Sequence, residues 1–171
     1  MDLILLAVLS ATTLLTNCAD VATAAYEERS GTSFDITGFV LRGEINGSPH
    51  LGVADETGGT MVVDIVNDPY WVNVRDGDVL RIQGTVLRST NGLTSARCHH
   101  IGFLRHENLP PPIETTIDAL ESGRFDCHPV RLRGMVMEVF RDEIDPKYVY
   151  LVLDCEGTTV FAATSTKNIP L

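Results

Sequence analysis

One seven-residue pattern, apolar, any, apolar, any, glycine, any, valine, occurs three times in this chain: "FDITGFV" (Phe34 to Val40), "LRIQGTV" (Leu80 to Val86) and "VRLRGMV" (Val130 to Val136). Alternation at period two is the mark of a half-buried strand. A glycine in mid-strand weakens it, so its recurrence marks places where a strand bends or another backbone comes close. Gly38, Gly84 and Gly134 therefore read as strand-bend positions, the corners that a small closed barrel requires.

Between the first two glycines lie the other parts of a compact all-β unit. "HLGVADETGGTMVVDIV" gives two strands, His50 to Asp55 and Thr60 to Val66, around a turn at Thr57, Gly58 and Gly59. "RDGD" (Arg75 to Asp78) is a tight turn into the Gly84 strand, and "STNG" leads to a fifth strand, Leu93 to Leu104. Five strands in that order, two of them centred on glycine, predict a small OB-like Greek-key barrel over residues 33–106.

Pro110, Pro111 and Pro112 then rule out helix and central strand. Residues 107–128 read as a Pro-rich linker carrying a short helix, Thr115 to Gly123, capped by Thr115 or Thr116. From residue 129 the grammar of the first unit returns: Gly134 matches Gly38, and "YLVLDCEGTTVFAAT" (Tyr150 to Thr164) matches the two strands and acidic-glycine turn above. The spacing from Gly38 to Gly84 would put the next such glycine beyond Leu171. The expected fold is all-β: a five-stranded OB-like barrel, a short linking helix, and a second, incomplete OB-like barrel over 129–171. An incomplete barrel leaves open sheet edges, which natural proteins avoid, so the chain is expected to be a fragment of a longer protein.

Leu3 to Leu15 is a nearly unbroken apolar run, too short to span a bilayer unaided. It suits the apolar region of a signal peptide, with cleavage after Ala24, and residues 1–25 are assigned to targeting on that ground. Against this, the basic start is missing, since Asp2 is the only charge before Asp20. The competing reading is a buried N-terminal helix. "LLTNC" also has the outline of a bacterial lipidation motif ending at Cys18, with Asn17 where that motif takes a small residue. Beyond Cys18, three cysteines remain, Cys98, Cys127 and Cys155, with Cys127 to Cys155 one possible pair outside the cytoplasm.

A net charge of −10 disfavours nucleic acid as a partner, because phosphate affinity comes mainly from lysine and arginine. OB barrels that hold single strands stack bases on aromatics of strands 2 and 3, and those strands here offer none. Tyr70 and Trp71, with Arg42 or His50 from the neighbouring loop, are the candidate ligand-binding set, although such a pair of rings more often plugs a barrel end. "CHH" (Cys98 to His100) lacks a second ligand pair at zinc spacing, and strand alternation puts Cys98 and His100 on one face. "RDEID" (Arg141 to Asp145) lacks the ligand spacing and glycine of a calcium loop. No Ser-His-Asp set, metal site or cofactor motif is assembled, so no catalytic residue, metal or cofactor is assigned.

The order of parts, an export signal, a barrel with "VADETGG" and "GDVLRIQGTV", an "LPPP" linker, then "LESGRFD" leading to "VRLRGMV", resembles the extracytoplasmic N-terminal region of bacterial membrane-bound sensor histidine kinases. The resemblance covers about Phe34 to Thr164 and implies a non-catalytic, exported sensor module. It also implies a small ligand or protein partner, a membrane reached through downstream helices or a lipid on Cys18, and homodimerisation of the kinase. Kinase chemistry would lie elsewhere; "HENLPP" at His106 imitates a phospho-accepting motif but sits between a strand and prolines, not on a helix. The alternative is an exported OB-fold protein that binds nucleic acid or carbohydrate outside any signalling system.

Overall fold

A computed structural model describes residues 13–45, 48–63, 65, 73–90, 93–123 and 125–165. The chain divides into two units: Met1–Pro111 with Gly123–Pro129, and Pro112–Ser122 with Val130–Leu171.

The first unit holds helix α1 (Cys18–Tyr26) and strands β1 (Ser33–Ile45), β2 (Ser48–Ala54), β3 (Gly59–Val63), β4 (Asp78–Thr90) and β5 (Leu93–His106). They close into a barrel in the order β1-β2-β3-β5-β4, with β3 and β5 parallel and the other neighbours antiparallel. This is a five-stranded OB-like barrel, as the glycine pattern predicts. Long β1 serves two neighbours, β4 along Ser33–Phe39 and β2 along Phe39–Ile45. Gly38 lies at the changeover, where a Cβ would stand 2.5 Å from the Ala54 carbonyl oxygen. A Cβ on Gly84 would overlap the Arg97 carbonyl and stand 2.6 Å from the Phe34 ring. Both glycines are thus required by close packing at barrel corners.

Alternate residues of the strands fill the interior: Phe34, Ile36 and Val40, Leu51 and Val53, Leu80, Ile82 and Val86, then Ala96, Cys98 and Ile101. The β4–β5 pairing shifts register at three places, between Val79 and Leu80, Gln83 and Gly84, and Leu87 and Thr90. In β5 the register shifts so that Gln83 faces His100 and Gly84 faces Cys98, leaving His99 as an extra residue. This bulge turns Cys98 and Ile101 inward and exposes both His99 and His100, so Cys98 and His100 do not share a face.

Of the segment assigned to targeting, residues 13–25 are described, and helix α1 within it packs against the barrel. Asn17 caps α1, its Oδ1 accepting from the Asp20 N–H at 2.8 Å. Leu15, Cys18, Val21, Ala24 and Ala25 join the barrel core, and Leu15 forms a β-bridge with Phe34. Cleavage after Ala24 would remove most of these groups from the interior. The Cys18 side chain is fully buried.

The second unit contains β6 (Ile113–Glu114), α2 (Ile117–Glu121), β7 (Val130–Arg131), β8 (Met135–Arg141), β9 (Tyr148–Cys155) and β10 (Thr158–Ser165). Thr116 caps α2 through Oγ1, which accepts from the Ala119 N–H. β6 and β7 pair in parallel, while β8, β9 and β10 form an antiparallel sheet in the order β10-β9-β8. Here the single expected strand Val130 to Val136 is broken into β7 and β8 at residues 132–134. A Cβ on Gly134 would lie 2.5 Å from Cys155 Sγ. The recurring strand, strand, acidic-glycine turn and strand are β8, β9, the turn at Glu156 and Gly157, and β10.

Candidate functional site

The main candidate site lies where the start of β4 meets the end of β5. A cavity of about 370 Å³ there is walled by the apolar side chains of Val74, Leu80, Ile101 and Phe103, with Asn73, Arg75, Asp78 and His106 among its polar lining. The "RDGD" turn builds its polar end. The Asp78 N–H donates to the Arg75 carbonyl at 3.0 Å, and Asp78 Oδ2 accepts from the Arg75 N–H at 2.9 Å. Gly77 turns with φ +87°, its N–H donating to the Val40 carbonyl.

The other oxygen of Asp78 holds His106. Nδ1 of His106 stands 2.7 Å from Asp78 Oδ1, with the carboxylate only 6% exposed and the imidazole 55% exposed. The bond fixes the orientation of the imidazole and leaves Nε2 on the side away from the carboxylate. Buried acid, oriented imidazole and apolar wall suit a small, mostly apolar molecule carrying one hydrogen-bonding group. Among the described lining residues there is no hydroxyl or thiol nucleophile for His106 to activate.

Sequence reasoning passed over this site. In the sequence His106 stands out for its likeness to a phospho-accepting motif and as a follower of "CHH", and Asp78 as a turn residue; their meeting depends on the β4–β5 register, in which they are opposite each other. Of the expected set, Arg42 faces Leu51 and His50 faces Gly43 across the β1–β2 ladder, while Tyr70 and Trp71 lie outside the described residues.

The other candidate clusters are used internally. In "RDEID", Asp142 Oδ1 accepts from the N–H groups of Ile144 and Asp145 at 2.8 and 3.0 Å, and Oδ2 from the Tyr150 hydroxyl at 2.9 Å. The backbone bond from Asp145, then that from Ile144 and the Tyr150 bond, hold its carboxyl below the usual range. His99 Nε2 is 3.2 Å from Thr85 Oγ1. None of the four cysteines forms a disulfide. Cys127 packs on Gly52 and Gly59 of the barrel and Cys155 on Gly134 of the second unit, so each sulfur is engaged within its own unit and the two are not paired.

No family model matches the chain, and no curated protein matches it. A solved structure described as "Structural mimicry for functional antagonism" aligns with 80% of this chain and 76% of its own, at 12% identity and a TM-score of 0.35. A likeness that slight assigns neither fold nor function.

Proposed function

We propose that this chain is a non-catalytic binding module in which the first barrel takes a small apolar ligand at the Asp78–His106 cavity. The observation that carries this reading is the buried Asp78 carboxylate fixing His106 at the mouth of an apolar-walled hollow. We further infer an exported sensory context, the input region of a membrane-bound sensor histidine kinase. Its support is the order of parts in the sequence, a repeated glycine-centred barrel motif behind an apolar N-terminal run.

The binding part is tested by NMR of isotope-labelled protein against small phenols and short-chain alcohols. A ligand of the proposed class shifts the methyl signals of Val74, Leu80 and Ile101, and His106→Ala weakens it at least tenfold. Salt-dependent shifts with DNA or RNA oligonucleotides, centred on Met61 and Val63 instead, would overturn the reading in favour of an OB-type strand binder. The sensory part is tested by reading the coding sequence in frame past Leu171. Membrane helices and a phospho-acceptor helix support it, and an immediate stop codon removes it.

A further inference from the structure

We infer that the turn Phe125–His128 is a detachable latch, which occupies in cis the outer face of β2 and β3. OB barrels take their ligands on that face. Leu51 and Val53 point into the core, so alternation turns Gly52 outward, and across the ladder Gly52 faces Met61 while Ala54 faces Gly59. Two glycines thus leave a hollow in the face.

The turn fills that hollow. A Cβ on Gly59 would overlap the Asp126 carbonyl and stand 3.0 Å from Cys127 Cβ, and one on Gly52 would stand 3.2 Å from both Cβ and Sγ of Cys127. Cys127 Sγ donates to the Thr60 carbonyl at 3.4 Å. His128 Nε2 is 3.1 Å from the Asp55 carbonyl oxygen, and its ring stands edge-on to Phe39 at 5.6 Å. Within the turn, the His128 N–H donates to the Phe125 carbonyl and the Asp126 N–H to the Gly123 carbonyl.

Two features mark this contact as a latch. Cys127 adopts φ +57°, a left-handed conformation that costs a residue with a Cβ about 1 kcal/mol. Seated packing offsets that strain, and release relieves it. The chain on either side, Pro112–Ser122 and Val130 onward, belongs to the second unit, so Gly123–Pro129 is a short return to the barrel. Releasing it uncovers the β2–β3 face. While seated, the latch closes that face to a strand or glycan supplied in trans, independently of the Asp78–His106 cavity.

Thiol reactivity reads the latch directly, since the thiolate must be both formed and exposed to react. Burial, then the Asp126 charge, pushes the Cys127 thiol up to about 11, so the seated latch is doubly protected. The full chain is treated with iodoacetamide under native conditions, and each cysteine is quantified by peptide mass spectrometry. Cys127 is expected to react at least a hundredfold more slowly than in urea. His128→Ala and Gly59→Ala are expected to accelerate Cys127 tenfold or more, with the core residue Cys98 unchanged. If Gly59→Ala accelerates both cysteines, His128→Ala decides, because it leaves the glycine floor intact. Cys127 reacting in the native wild type at its urea rate, staying at the wild-type rate in His128→Ala, or accelerating there in step with Cys98 overturns the latch.

Discussion

The backbone N–H of Cys18 donates to Asp55 Oδ2 over 2.9 Å, which ties the first residue of α1 to the turn that follows β2. Thr57 completes the tie: its N–H and hydroxyl donate to Asp55 Oδ1, and its Oγ1 accepts from the Ala19 N–H at 3.2 Å. The first N–H groups of a helix have no partner within it, and a carboxylate there also meets the positive end of the helix dipole. "VADETGG" is therefore more than a hairpin connection; it receives the N-terminus of the helix that plugs the barrel.

Asp55→Ala is expected to cost about 1–2 kcal/mol of barrel stability in urea unfolding, the scale of a lost helix cap with a charge-assisted bond. Burial works to raise the Asp55 carboxyl, but the bonds from Thr57 and Cys18 outweigh it and hold the folded value below the ordinary one. A depressed carboxyl contributes stability above the unfolded value of about 3.9 and loses it as pH falls through the folded value. The gap in midpoint between wild type and Asp55→Asn should be full at pH 7 and close below pH 4. A gap that widens in acid would refute the assignment.

If α1 is part of the barrel, the mature protein must keep it. Fully burying one valine such as Val21 contributes about 1.5–3 kcal/mol, and α1 adds Leu15, Cys18, Ala24 and Ala25 to the same core. Their sum is comparable to the whole stability of a small domain. A variant that starts at Ala25 is expected to lose the cooperative thermal transition of the first unit. N-terminal sequencing of the protein recovered from its native source should find a start before Asn17; a start at Ala25 with an intact barrel would instead support cleavage after Ala24.

On the outside of the barrel, Asp35 of β1 accepts from Arg81 Nε at 2.8 Å and Nη2 at 2.6 Å, and from Gln83 Nε2 at 2.9 Å. These bonds, the one from Arg81 foremost, hold its carboxyl down to about 2. Its contribution is present above the unfolded value of about 3.9 and fades as pH falls towards 2. Arg81 is 57% exposed, so solvent screens the pair and Asp35→Asn should cost only about 1 kcal/mol at pH 7. Thermal melts of the two proteins should differ at neutral pH and converge near pH 2.

The sequence makes the barrel legible because its information is local and periodic. Phe34, Ile36, Leu80 and Ile82 announce their inward face by alternation, and Gly38 and Gly84 announce the corners by breaking it. What is not legible depends on pairings that alternation does not encode. The bulge at His99 is a register shift and the Asp78–His106 contact a register coincidence. The docking of Cys127 on Gly52 and Gly59 joins residues more than sixty positions apart, and only the glycines hint at it. The tie between α1 and Asp55 is equally silent in the sequence, since it joins residues 37 positions apart.

Thr60 tests how closely that core is tuned. Its side chain is fully buried beside the inward residues Val53 and Val62, yet Oγ1 has no hydrogen-bond partner among the described residues. Burying a hydroxyl without a partner costs about 1–3 kcal/mol on the scale of protein mutations. Thr60→Val replaces the hydroxyl with a methyl group of similar size and keeps the β-branched shape that suits β3. The substitution should raise the urea midpoint, corresponding to about 1 kcal/mol, without changing the slope of the transition. It leaves the Thr60 carbonyl in place to accept from Cys127, so native alkylation of Cys127 should stay slow. A lower midpoint would show that Oγ1 is bonded in solution and that its hydroxyl supports the β2–β3 face from inside.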